Sequence, residues 1–430
     1  MKQVVAMLRK ACAVSCVALV TLALLLSSAQ QASAALKGET ISLTREKILE
    51  LAAKNDMTVR EQNLQVKANE AQLFYANDQR IELGAYSKPE LQSLPTELDE
   101  LRALVPGYDD LSEAEKSEVD GALMIQSMIN ASMNEMVEAQ ANYEYMAGHQ
   151  QWLTQVRALG EEINNGTHQL KIAKLEQDKQ VLLAQYSALS HYYELIELAI
   201  DIRAAQLEVQ IAETAYKDTE KLFQLGLSTA KEVEQAKHTA IQHKKSVEQL
   251  SRQQHEQKQR FKQSLGIKAE DSIILPSIDE VKLDGQDDEA VVDIKKQIDY
   301  VKAEESIKQI KIKLEEAQTS GMNKYLNALL KIETERVTLL EDWLQQKADM
   351  LSYEKETIEH RIQQLENEYT LLSSKLNDAD KLLTLGSIST REHEAVSHER
   401  ARLQFNLEKS KLEWFRWQEK ERIAVLGVLQ

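Results

Sequence analysis

The sequence predicts an all-α protein built from long antiparallel coiled-coil hairpins in two repeats. Three observations point there. The 430 residues hold only 13 Gly and 4 Pro, too few turn-formers for two or three ordinary compact domains. Ala, Glu, Lys, Leu, Gln and Arg dominate, which is the composition of long helices. No Gly or Pro interrupts the chain between Gly166 and Gly226, Gly226 and Gly266, or Gly321 and Gly386. A helix of about 60 residues spans roughly 90 Å, so these are arms rather than globular helices. Aromatic residues make up 5% and there are 2 Cys, which fits neither an aromatic-girdled barrel nor a disulfide scaffold.

In chain order, Lys2, Arg9 and Lys10 precede an apolar run from Ala11 to Leu26, and Ala32-Ser33-Ala34 fits an A-x-A cleavage site. Residues 1–34 therefore read as a secretory signal peptide. An uncleaved anchor helix is the alternative, for which the run is short. Cys12 and Cys16 both fall in the signal, so the mature chain is expected to lack thiols, disulfides and Cys-based metal sites. Loss of three cations takes the net charge from -17 to -20. Such acidity repels nucleic acid and anionic headgroups, so neither is an expected partner. No second apolar stretch approaches bilayer-spanning length, and no helical membrane span is expected in the mature chain.

Two heptad seams follow. Leu198, Ile202, Ala205, Val209, Ala212, Tyr216, Thr219 and Phe223 alternate steps of four and three, and such a seam requires a partner helix to cover it. Ile358, Ile362, Leu365, Tyr369, Leu372, Leu376, Ala379 and Leu383 repeat the pattern at one constant offset, Leu198 matching Ile358 and Phe223 matching Leu383. The first arm ends in Leu225-Gly226-Leu227-Ser228-Thr229 and the second in Leu385-Gly386-Ser387-Ile388-Ser389, at the same offset. Gly226 and Gly386 sit where a helix C-terminus favours the left-handed conformation. Thr229 and Ser389 precede Glu232 and Glu392 by three, the capping-box spacing that starts a new helix. Leu265-Gly266 and Leu426-Gly427 close the returning helices, whose first seam runs Val233, Ala236, Ala240, His243, Val247 and Leu250. Shared register indicates an internal duplication: 35–285 as the first repeat, with an insert at 79–165, and 286–430 as the second.

These residues resemble the TolC outer-membrane efflux protein family. Its two repeats carry a turn of the form G-x-x-[ST/A]-x-x-[DE]-[VL]-x-x-A with a Leu-Gly some forty residues on. Gly226 to Ala236 fits fully; Gly386 to Val396 departs at His393 and Val396. Ile41 to Glu46, Leu51-Ala52 and Asn55-Asp56 resemble the family's opening, with Met57 where a proline is common. The resemblance implies an exported cell-envelope protein of an efflux or secretion assembly, a trimer in the family, that meets adaptor and transporter subunits. It makes the hairpin tips the candidate partner surface: Leu225, Gly226, Leu227, Thr229 and Glu232, with Leu385, Gly386, Ile388, Ser389 and Glu392. The same glutamates are equally explained as helix caps. A structural coiled-coil envelope protein without transport is the alternative function; an adaptor subunit is a third, for which no β-rich domain is visible.

The family also places a membrane β-hairpin in each repeat, and a spanning strand needs about 9–11 alternating residues. Here the first slot, 79–165, reads as a Pro/Gly-punctuated connector (Tyr86 to Asp110), then a Met-rich helix bearing Met124, Met128, Met133 and Met136. The second, 318–355, has helical spacing at Leu326, Leu329, Leu330, Val337, Leu340, Trp343 and Leu344. Only Ser272–Leu275 and Val281–Leu283 look strand-like. The methionines are expected to pack in the core, with a soft-metal site or a promiscuous groove as the alternative; Trp414, Phe415 and Trp417 are expected to be core or interface residues, with an aromatic platform as the alternative. The nine His have no ligand-like grouping. His238 and His243 are five apart, as are His393 and His398, so neither pair shares a helix face. The sequons at Asn130 and Asn165 read as chance. No phosphate loop, nucleophile elbow or acid–base pair emerges, so neither an enzyme nor a cofactor is expected.

Overall fold

The computed structural model describes residues 40–274 and 291–430. The signal peptide, the piece Val281–Leu283 and the boundary between the two repeats lie outside the described residues. Of the rest, 85% is helical. Strand β1 (Thr40–Ser42) leads into α1 (Arg45–Asn55) and α2 (Met57–Leu83). Short α3 (Leu98–Ala103) and a 3-10 turn precede α4 (Glu113–Gln224) and α5 (Ala230–Ser264). Strand β2 (Ser272–Ile274) follows, then α6 (Ile298–Glu316), α7 (Ser320–Thr384) and α8 (Thr390–Val425). Both slots are thus helical where regular, as their spacing predicts. Among the described residues the strands are β1 and β2, which pair with each other in parallel, Ile41 beside Ile273. Nor is any described helix long and apolar enough to cross a membrane.

The chain forms two compact units, one from residues 65–173 and one from the remainder. In the larger unit the seams are covered as their period requires. Leu198 and Ala212 are buried and Ile202, Ala205, Val209, Tyr216 and Thr219 half-buried; on α7, Ala379 is buried and the other seven seam positions are half-buried. Phe223 departs from the pattern at 45% exposed. His243 is half-buried on the returning seam.

Ion pairs fasten α4 to α8 along their length. Arg416 meets Glu197 at 2.8 Å, Lys409 meets Asp201, Arg203 meets Glu408 at 2.5 Å, and Arg402 grips Glu208 through two hydrogen bonds of 2.7 and 2.9 Å. The falling numbers on α8 against rising ones on α4 make the helices antiparallel. Both hairpin turns therefore lie at one end of the unit.

At the other end a buried cluster joins the helix bases. Leu43 and Ile48 from the N-terminal segment meet Leu189, Tyr192 and Tyr193 of α4, Phe261 and Leu265 of α5, Ile273 of β2 and Leu412 of α8. Trp417 is buried, donates from Nε1 to the Leu351 carbonyl at 2.9 Å, and stacks on Trp414; Phe415 stacks near Tyr193. The expected core role of these aromatics holds. Glu419, 1% exposed, accepts from Arg45 at 2.5 Å and from Arg422 at 2.7 Å, so α1 is held to α8 through a buried carboxylate. The two returning helices end alike. Asn55 donates to the Leu265 carbonyl at 2.8 Å, and Gln297 donates to the Ala424 carbonyl at 2.8 Å. A side-chain amide thus binds a carbonyl at or just before each Leu-Gly terminus, from Asn55 at the end of α1 and from Gln297 just before α6.

The smaller unit corrects the reading of the methionines. Met124, Met128 and Met136 are 62%, 74% and 69% exposed, and Met133 is 45% exposed, so none is core. The connector explains why. Its irregular backbone needs hydrogen-bond partners, and these come from the polar side of α4. Asn134 exchanges two bonds with Leu94 (2.8 and 2.9 Å), Asn130 donates to the Pro95 carbonyl at 2.7 Å, and Ser127 to the Thr96 carbonyl at 2.6 Å. Asparagines and serine take the covered face, and the apolar residues are left on the open one. Asn130 is only 6% exposed, which removes it as a glycan acceptor.

Glycine closes all four long-helix ends, but for different reasons. Gly226 (φ +75°) has open space around a Cβ, whereas at Gly427 (φ +105°) a Cβ would meet the Lys296 carbonyl oxygen at 2.8 Å. Gly226→Ala should therefore cost about 1–2 kcal/mol of left-handed strain. Gly427→Ala should cost at least another ~1 kcal/mol by overpacking. Urea denaturation of the two variants checks the order; equal costs would contradict the close approach.

Candidate functional site

The tips are built by two motifs back to back. In the first, Leu225 follows the last residue of α4; Gly226 N donates to the Phe223 carbonyl at 2.9 Å and Leu227 N to the Leu222 carbonyl at 2.8 Å. That is the Schellman pattern, which satisfies carbonyls the helix can no longer pair. In the second tip, Gly386 N donates to the Leu383 carbonyl at 2.9 Å and Ser387 N to the Leu382 carbonyl at 2.8 Å, with Gly386 at φ +71°.

The next helices start at once. Glu232 N donates to Thr229 Oγ1 at 3.3 Å, while Glu232 Oε2 accepts from Thr229 N at 2.7 Å and from Ser228 Oγ at 2.8 Å. Glu392 N donates to Ser389 Oγ at 3.2 Å, and its carboxylate accepts from Ser389 N at 2.7 Å. Both capping boxes predicted from the sequence are complete. The backbone N–H of Thr229, then the Ser228 and Thr229 hydroxyls, hold Glu232 below the ordinary glutamate value of 4.5; the Ser389 backbone and hydroxyl do the same for Glu392.

Both carboxylates are spent on their own helices, so the chemistry the tips leave open is apolar. Leu225 and Leu385, at the same position of each turn, are 72% and 76% exposed, and Leu227 is 72% exposed. Ile388 is half-buried, which corrects the expectation that it is a free surface residue like Leu227. It occupies the place of Ser228, which is also half-buried, and not that of Leu227. Phe223 at 45% and Leu222 and Leu382 at 41% exposure widen the apolar surface. The sequence places Phe223 in the seam and leaves Leu222 and Leu382 beside it; their closeness to the turn glycine is the available signal. On the second tip His393 faces Asp380 across the hairpin, where the first tip has Val233 and Glu220.

Among the described residues no three His, Cys, Asp or Glu side chains gather to hold a metal. The arrangement can present a rigid, exposed leucine surface.

The sequence matches no family model and no curated protein. Solved structures do match in fold. The outer membrane protein VceC of Vibrio cholerae shares 15% identity over 63% of this chain and 76% of that one, with a TM-score of 0.50. A membrane protein from Pseudomonas aeruginosa shares 10% identity over 91% and 92%, at 0.58. CusC, whose structures concern transmembrane channel formation, shares 10% identity over 89% and 92%, at 0.50. At these identities the likeness is one of fold. The chain has the helical fold of TolC-like outer-membrane channels, in a divergent form.

Replacing Thr229 or Ser389 with Ala should cost about 1 kcal/mol each, felt locally at the tip. The sign of the pH effect follows from the lowered glutamates: their contribution is complete above the unfolded value and is lost as pH falls through the folded one. Amide exchange at the tips should therefore be unchanged between pH 8 and 6 once corrected for intrinsic rate. Protection should fall in acid below ~4, and loss of protection near neutrality would contradict the caps.

Proposed function

We propose that the protein is an exported, TolC-like component of an efflux or secretion assembly in the cell envelope, with the two hairpin tips as its docking surface for an adaptor-type subunit. The observation that carries this reading is the pair of equivalent, outward leucines. Leu225 and Leu385 sit on identical turns at one end of the unit. A helix turn needs the glycine and the capping box; it does not need a leucine held in water at its C-cap, and an apolar patch on a rigid mount suits a protein partner. Self-association, trimeric in the family, belongs to the same reading, as does cleavage of residues 1–34 on export.

The glutamates favour a narrower role than the tip as a whole. Glu232 and Glu392 act as caps, and the leucines act as contacts. If the alternative held, and the protein were only a structural coiled coil, the leucines could be made polar without consequence.

The test is pull-down from the native envelope with wild-type protein and the variant L225D/L227D/L385D, beside thermal melts. All three sites are strongly exposed, so the melt should not move. A charge forced into an apolar contact is costly, and recovery of the partner should drop at least tenfold. Equal recovery with an equal melt would leave the tips as structure alone.

A further inference from the structure

Beside Trp417, α7 and α8 enclose a cleft of about 470 Å³ among the helix bases. Small-molecule sites have volumes of about 300–1,000 Å³ and combine an apolar lining with a few placed charges. Here the apolar lining is Trp417, Leu351, Ala348 and Val292, and the charges are Lys355 against Asp349, Glu356, Glu359 and Glu421. Helical spacing brings them together. Glu421 lies one turn beyond Trp417 on α8, and Lys355 lies one turn beyond Leu351 on α7. One residue away on each helix, Lys420 and Glu354 close on each other at 2.7 Å. Lys355 and Glu421 do not, and among the described residues neither makes an ion pair or a hydrogen bond. Lys355 Nζ instead stands 5.5 Å from the centroid of the Trp417 ring, the contact a cation makes with an aromatic face. Glu421 is half-buried, and burial pushes its carboxyl above the ordinary glutamate value of 4.5 against the pull of Lys355. A carboxylate drawn out of water without a close partner is costly.

We propose that this cleft binds a small organic ammonium of single charge, its apolar body against Leu351 and Ala348 and its charge between the Trp417 ring and Glu421. Three features select that class. Four carboxylates facing one ammonium repel an anion. Among the described residues no three acidic or His side chains gather closely enough to hold a metal ion, so the negative charge is spread, which suits a larger cation. The apolar lining rewards a hydrophobic body, which a polyamine lacks. Lys355 is then a stand-in on the ring face, and the ligand must displace it. The cleft belongs to the base, and the proposal is independent of what the tips bind.

The probe is 2-phenylethylamine, protonated at neutral pH, with 2-phenylethanol as its uncharged counterpart, each titrated into the full chain at physiological salt. The chain has 4 Trp, so indole N–H resonances report binding site by site, that of Trp417 being assigned by its loss in Trp417→Phe. The amine should shift the Trp417 resonance saturably, and the alcohol should bind about tenfold more weakly. Glu421→Gln should weaken the amine about tenfold without lowering the thermal melt, because it removes a half-buried charge that has no close partner. Lys355→Gln should act in the opposite direction and tighten the amine about threefold. Glu399→Gln, exposed on α8 and outside the cleft, removes the same charge and should change nothing. Equal affinity for alcohol and amine would overturn the proposal, as would spermidine binding more tightly than the amine. Equal weakening by Glu399→Gln, or a Trp417 resonance unmoved at millimolar amine, would overturn it too.

Discussion

Everything in the larger unit depends on covering the apolar stripes of its long helices. A helix such as α7 satisfies its own backbone hydrogen bonds, but most helical stability in proteins comes from packing an amphipathic face. That requirement forces each arm to double back, and doubling back forces a tight turn. The Schellman glycines and capping boxes at Gly226 and Gly386 are therefore consequences of the seams. The ion pairs between α4 and α8 contribute little each at a hydrated surface. Their value is in alignment, since Glu197 to Glu208 meeting Arg416 to Arg402 permits one antiparallel register.

The base obeys a different constraint. Hairpins bound only by seams could slide past each other, and the cluster around Tyr192, Tyr193, Phe261 and Leu412 removes that freedom. Buried Glu419 adds directional bonds to Arg45 and Arg422. A buried carboxylate is costly unless paired, so the pairing admits one position of α1. The result is a rigid base with tips that project, which suits a role in which the tips make contacts.

Features set by neighbours in sequence are legible without the structure. The turn at Gly226, the cap at Thr229 and the seam from Leu198 are local chemistry with a fixed period, and each lies where that chemistry puts it. Features set by distant or open surroundings are not. The partner of Ser272–Ile274 is Thr40–Ser42, far away in sequence, and strands this short leave almost no periodic signal. The methionines from Met124 to Met136 read as core because period shows that a face is apolar but not what covers it. Ile388 reads as exposed because it lies outside the seam, as Leu227 does, whereas it takes the place of half-buried Ser228 and is half-buried itself. On α7 the spacing of Leu326, Leu329, Val337 and Trp343 correctly gives a helix, but merges two stripes of which the chain covers one.

The central claim is that helices fill the two segments where the family resemblance leads one to expect membrane β-hairpins, and distance measurement across the second of these, 318–355, tests it most directly. Spin labels on cysteines at Lys324 and Ser352, both exposed on α7, bracket most of that slot. A continuous helix predicts a separation of about 42 Å at 1.5 Å per residue, unchanged on adding detergent micelles or lipid vesicles. A β-hairpin in this slot would bring the same positions within roughly 20 Å, since paired strands lie about 5 Å apart, and such a short distance in either environment would contradict the account.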